Sequence, residues 1–152
     1  MDQIDRRILA ELQRDGSLSN AELAERVGLS TTPCWRRVRL LEEQGYIRGR
    51  VALLNRDKLN VGVTVFVSVK TARHDAEWLA EFARVVQTMP EVQEFHRMSG
   101  EVDYIMKVVV PDIAAYDRFY KRLIEEIDLS DVSSSFAMEE IKNTTELPLS
   151  YL

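Results

Sequence analysis

Apolar residues recur at helical spacing near the start of the chain. Ile4, Ile8, Leu9 and Leu12 share one face before Asp15-Gly16 stops the run, which predicts an amphipathic helix of about 12 residues. Ser19-Asn20-Ala21-Glu22 then has the form of a capping box, in which Ser19 accepts from the backbone N–H near Glu22 while Glu22 reaches back. The short helix it opens carries Leu23, Ala24 and Val27 on one face, and Gly28 is placed to take the left-handed conformation that ends it. Thr32-Pro33 opens a third helix, since proline fits a first turn where its missing N–H costs nothing and Thr32 can cap. Cys34, Val38 and Leu41 form its inner stripe, with Trp35, Arg36 and Arg39 on other faces. Gly45 ends it before Tyr46-Ile47-Arg48-Gly49-Arg50-Val51, which reads as a short basic hairpin or wing. A short helix, a glycine-containing turn and a longer basic helix make a helix-turn-helix over residues 20–39.

The rest of the chain has a different rhythm. From Gly62 to Val69, Val63, Val65, Val67 and Val69 alternate with Thr64, Phe66 and Ser68, a strand pattern. Asp75 to Thr88 places Trp78, Leu79, Phe82 and Val86 at helical spacing, and Pro90 marks the end. Val92 to Met98 and Tyr104 to Val110 are two more strands, joined by Ser99-Gly100-Glu101-Val102-Asp103. Ile113 to Ile127 is a helix with Tyr116, Phe119, Tyr120 and Leu123 facing in, and Val132 to Met138 is a fourth strand. The order βαββαβ is the ferredoxin-like split repeat, two helices covering one face of an antiparallel sheet. The fold class is therefore α+β, with a winged helix-turn-helix over residues 1–60 and a ferredoxin-like domain over 61–152. Because Val, Phe and Met alternate on both faces of several strands, a second subunit is expected to cover the open face.

Charge changes the picture. The net charge of −5 argues against a nucleic-acid partner until it is divided along the chain. Residues 1–58 hold 11 Lys+Arg against 9 Asp+Glu, whereas residues 59–152 hold 9 against 16. Within 30–58 the count is 7 basic against 3 acidic, so a polyanion should bind there and be repelled elsewhere. No apolar run approaches the roughly 20 residues that span a bilayer, and Met1-Asp2-Gln3 does not open a signal segment, so a cytoplasmic protein is expected. The single cysteine, Cys34, excludes an intrachain disulfide.

The candidate DNA contacts are Ser30, Thr31 and Thr32 at the start of the third helix, Trp35, Arg36, Arg37 and Arg39 along it, and Arg48 and Arg50 in the wing. Helix N-termini bind phosphate, and one or two of the three helix arginines can reach guanine O6 and N7. Not all can, because Arg36 and Arg37 diverge by about 100°. The competing reading is a solvated basic helix. Cys34 is read as a small buried residue in preference to a reactive thiol at a helix start. By pattern alone the Gly100 to Tyr104 segment is a plain hairpin turn. Its chemistry also suits an amino acid, with N–H groups near Gly100 for the carboxylate and Asp103 for the α-ammonium group. Ser133, Ser134 and Ser135 are either a polar strand face or a contribution to a neighbouring subunit's site. His74 and His96 have no partner at metal-ligand spacing, and no nucleophile elbow, phosphate loop or dinucleotide fingerprint is present, so neither a metal site nor an enzyme is expected.

Ile4-Asp5-Arg6-Arg7-Ile8-Leu9, Asn20-Ala21-Glu22-Leu23-Ala24, Gly28-Leu29-Ser30, Thr32-Pro33-Cys34-Trp35, Arg37-Val38, Leu41-Glu42 and Gly45-Tyr46-Ile47 resemble the head of the Lrp/AsnC, or feast/famine, transcriptional regulators. Ser99-Gly100-Glu101-Val102-Asp103-Tyr104 and Met138-Glu139-Glu140-Ile141-Lys142 resemble their RAM (ACT-like) amino-acid-sensing domain. Trp78, Met89-Pro90-Glu91-Val92, Tyr116-Asp117 and Phe119-Tyr120-Lys121-Arg122-Leu123 are similar to a branch associated with cysteine detoxification. The resemblance implies a sequence-specific regulator, a homodimer assembling to an octamer, and an amino-acid effector, cysteine or leucine-like. The effector site it implies comprises Ser99, Gly100, Glu101, Asp103, Tyr104 and Ser134. The family's turn usually has an aromatic residue where this chain has Val102, a departure that bears on the shape of the pocket. Two other readings stand beside this one: an effector-independent architectural DNA-binding protein, and a ligand-binding regulatory domain whose head serves only for dimerisation. The last would need an apolar outer stripe on the third helix, where Arg36 and Arg39 stand instead.

Overall fold

The computed structural model describes residues 1–152 as two compact units. One comprises Met1–Leu53 together with Lys142–Leu152, and the other Leu54–Ile141.

The head is built on three helices, α1 (Gln3–Arg14), α2 (Asn20–Val27) and α3 (Thr31–Glu43). Asp2 caps α1 reciprocally with Asp5, each carboxylate accepting the other residue's N–H at 2.9 Å. The expected Ser19/Glu22 box opens α2, at 3.2 and 2.8 Å. Gly28 ends α2 at φ +74°, a conformation glycine adopts without a Cβ penalty. Across the turn, the Asn20 side-chain amide donates to the Thr31 carbonyl at 2.8 Å and fastens α2 to α3. Ile8, Leu23, Ala24, Val27, Cys34, Val38 and Leu41 close one core between the three helices.

Two expectations for the head are corrected. Thr32 does not cap α3. The helix starts two residues earlier, with Ser30 at the cap position, no side-chain capping bond, and Pro33 still inside the first turn, where N–H groups lack partners in any case. The basic hairpin is absent as well. The Tyr46 and Ile47 N–H groups both donate back to the Leu41 carbonyl, at 2.9 and 3.3 Å, which folds the chain over the helix end. Residues 47–55 then run without regular structure.

The last residues pack on the head, not with the domain they follow in sequence. The Gln13 side chain donates to the Leu147 carbonyl at 3.1 Å and accepts from its N–H at 2.9 Å, Arg14 pairs with Glu146 at 3.3 Å, and Arg6 donates to the Leu152 carbonyl. The boundary between the units accordingly falls at Leu53/Leu54, with a second crossing at Ile141/Lys142.

The second unit follows the expected order: β1 (Val63–Lys70), α4 (Ala76–Gln87), β2 (Val92–Arg97), β3 (Tyr104–Val110), α5 (Ile113–Glu126) and β4 (Asp131–Phe136). The sheet order is β2-β3-β1-β4, antiparallel throughout. Val65, Val67 and Val69 of the central strand are fully buried against Trp78, Phe82 and Val86 of α4 and Tyr116, Phe119 and Leu123 of α5. Directly paired residues share a face, so Met106 and Ser134, both opposite Val67, lie on this helix side. The other face is more polar than expected. Phe66, Ile105 and Val109 stand there with Ser133 and Ser135, but Lys107 and His96 both pair with Glu94, at 3.5 and 3.1 Å. Methionine contributes nothing to it from the β3 strand, because Met106 turns inward. No helix is long and apolar enough to cross a membrane.

Candidate functional site

With Cys34, Val38 and Leu41 buried, the helical phase of α3 turns Thr31, Thr32, Trp35, Arg36 and Arg39 to solvent. The first-turn N–H groups of Thr31 and Thr32 are uncapped and available to an anion. Arg39 is braced, its guanidinium 5.8 Å from the centre of the half-exposed Trp35 ring and 3.6 Å from Glu43. Such a cation–π contact favours one orientation of an otherwise mobile side chain. Arg36 and Arg48 form no ion pair, whereas Arg50 reaches Glu42 at 3.4 Å.

Arg37, the other arginine expected at the DNA, is paired within the head. Its Nη1 donates to Asp2 at 2.7 Å and to Asp5 at 2.8 Å, and the side chain is turned toward α1. Those charge-assisted bonds hold the guanidinium more firmly protonated, Asp5 contributing most. Asp2 is held below the usual carboxylate range, chiefly by the Asp5 N–H and then by Arg37. The physical reason is helix phase: a residue one position from Arg36 is rotated by about 100° and cannot share its face.

Cys34 is sealed in the head core, and burial pushes its thiol up, so it stays protonated.

In the second unit, the turn between β2 and β3 is stitched to the end of β1. The Met98 N–H donates to the Asp103 carbonyl at 2.8 Å, the Asp103 N–H to the Val69 carbonyl at 3.0 Å, and the Thr71 N–H to the Asp103 carboxylate at 2.8 Å. Gly100 sits at φ +120°, which a side chain would strain. Ser99, Gly100 and Glu101 are exposed. Tyr104 is not on the surface of the turn, since its ring packs in the core 5.5 Å from Phe82 and 5.8 Å from Trp78. Ser134 is not part of the turn of its own chain. It lies mid-strand opposite Val67, faces the helices and hydrogen-bonds the Tyr116 hydroxyl, whose own titration burial pushes up.

Beside the turn is an open cleft of about 340 Å³ whose walls include His74, Leu79, Arg97, Asp103 and Tyr104. Arg97 and Asp103 both line it, and a guanidinium and a carboxylate are the two groups needed by a free amino acid. Arg97 was not legible as a site residue. Its register opposite Tyr104 at the last position of β2 carries it there, and periodicity alone does not give register. The N-cap carboxylate of Asp75, at the cleft's edge, is committed to the Trp78 N–H at 2.8 Å and is held below its ordinary value chiefly by that bond.

A DNA-binding head and a ligand-binding α+β domain together define a ligand-responsive regulator. The chain belongs to the Lrp/AsnC family: residues 64–147 match the Lrp/AsnC ligand binding domain, and residues 1–48 match a winged helix-turn-helix DNA-binding domain. It is 54% identical to the DNA-binding transcriptional activator DecR of Escherichia coli (strain K12), over 98% of this chain and 99% of that protein. An AsnC family transcriptional regulator from Agrobacterium tumefaciens superposes with a TM-score of 0.97 at 63% identity, covering 100% and 99% of the two chains. A transcriptional regulator from Neisseria meningitidis, solved as its L-Met complex, gives 0.95 at 38% identity, covering 99% and 98%. These relatives are transcriptional regulators.

A buried, protonated thiol should be inert. Thiol-reactive dye added to the native protein is expected to label Cys34 only as fast as the head opens, with a large acceleration in denaturant. Immediate stoichiometric labelling of the native chain would contradict the buried assignment.

Proposed function

We propose that this protein binds double-stranded DNA through the outer face of α3 and that its DNA binding answers to a neutral amino acid held beside Asp103. It works in the cytoplasm as a homo-oligomer. The observation that supports this most is the segregation of charge on α3, where Arg36 and Arg39 point outward beside uncapped N–H groups while the third arginine turns in. Ser30, Thr31, Thr32 and Arg48 then serve phosphates, Arg50 joins them when it leaves Glu42, and Arg36 and Arg39 read base edges with Trp35 alongside. Arg36→Ala and Arg39→Ala should each cost about 1–3 kcal/mol of discrimination between a selected site and random DNA. Sequence-tolerant binding by the parent protein would instead favour an architectural role, and unchanged affinity in both variants would remove α3 from the interface.

Oligomerisation is supported by the uncovered sheet face with Phe66 and by the exposed Leu53 and Leu54. A dimer would present paired heads to half-sites about one helical turn apart, and four dimers would form an octamer. Solution scattering should return a mass of at least two chains, and a monomer mass at all concentrations would exclude it.

For the effector, the cleft offers Arg97 to a carboxylate and Asp103 to an ammonium group, and the exposed Ser99, Gly100 and Glu101 belong to the turn beside it. The L-Met complex of a relative supports an uncharged side chain, and cysteine and leucine-like residues are the first ligands to try. Because Asp103 also receives the Thr71 N–H, the informative change is Asp103→Asn, which keeps an acceptor and removes the charge. Calorimetric titration with the twenty amino acids should give binding to one or a few, weakened at least tenfold by Asp103→Asn or Arg97→Gln, about 1.4 kcal/mol. No heat from any amino acid, or full binding by both variants, would reject the site.

A further inference from the structure

We propose that Arg37 governs DNA affinity without touching DNA, as a brace that fixes the rotation of α3 against the start of α1. One guanidinium nitrogen joins two carboxylates, Asp2 at 2.7 Å and Asp5 at 2.8 Å, and those carboxylates are already locked to each other's backbone by the reciprocal cap. The brace is therefore anchored to a helix end, not to a free side chain. The Arg37–Asp5 pair is also the most enclosed ion pair of the head, with side-chain exposures of 32% and 17%, so solvent screens it least. Arg36 precedes Arg37 by one position and Arg39 follows by two, so any rotation of α3 released at Arg37 moves both outward arginines across the groove by the same angle. Contacts to base edges tolerate little such movement, because a bidentate pair is fixed in plane and distance.

The proposal rests on the reading that α3 faces DNA, and it makes a prediction of unusual sign. Removing a negative charge from a DNA-binding head ordinarily strengthens binding, since the polyanion is repelled less. Asp5→Asn should instead weaken it. The test titrates the full-length chain and its variants against duplex DNA that the parent protein selects from a random pool, at several salt concentrations and well below melting. Arg37→Met and Asp5→Asn are each expected to bind about five- to tenfold more weakly. The slope of log affinity against log salt should be unchanged, and the double variant should be no weaker than the worse single one. Exchanging the charges, Arg37→Glu with Asp5→Arg, should recover affinity relative to Arg37→Glu alone. Asp2→Asn retains a good cap and serves as the second probe if a variant fails to fold. A slope smaller by about 0.9 for Arg37→Met would mean a lost phosphate contact and would overturn the brace. So would tighter or equal binding by Asp5→Asn. Loss of binding by Arg36→Ala alongside an unaltered Asp5→Asn protein would sink the brace only, whereas an unaltered Arg36→Ala protein would sink the reading of α3 beneath it.

Discussion

In the ligand-binding domain the register of β1 decides where everything else can be. The strand is hydrogen-bonded along both edges, so the alternation of Val65, Val67 and Val69 toward the helices sets the facing of β3 and β4 at once. A slip of one residue would drive Phe66 and Ser68 into the helix layer and three valines out of it, and the energetic penalty of such a slip is what makes the register unique. The ligand turn inherits its place from this. Asp103 meets the Val69 carbonyl and the Thr71 N–H only because Tyr104 is paired with Val69, and Arg97 enters the same recess because it too is paired with Tyr104.

The head solves a different problem with one residue type. Three arginines within four positions of α3 have three surroundings: Arg36 unpaired, Arg37 held by two carboxylates of the neighbouring helix end, and Arg39 leaning on an indole. Composition counts them as equal contributions to a basic patch. Helix phase divides them into one that holds the helix and two that present charge, and the division costs the patch little because the inward charge is neutralised by Asp2 and Asp5.

What could be read from the chain was what is local. Apolar spacing located each α-helix and strand to within a few residues, Ser19 and Glu22 announced their box, and Gly28 its left-handed turn. The departures at the candidate site residues involve partners distant in sequence. The inward turn of Arg37 depends on Asp2 and Asp5, the facing of Ser134 depends on Val67, and the commitment of the Asp103 carboxylate depends on Thr71. The absent hairpin has a related cause: the N–H groups that would have started it are spent on the Leu41 carbonyl, a choice periodicity does not register. Ser30, in place of Thr32, stands at the start of α3 because a first-turn proline is tolerated at more than one position.

The return of the last eleven residues to α1 makes the head discontinuous along the chain, with the whole unit Leu54–Ile141 inserted between its two parts. During synthesis the three-helix core can close as soon as its first fifty or so residues have emerged, since domains fold as units from the N-terminal side. The outer side of α1 has to wait. Gln13 and Arg14 acquire Leu147 and Glu146 only after every strand of the intervening sheet has been made, so the order in which the ribosome delivers this protein is sensor last to begin and head last to finish.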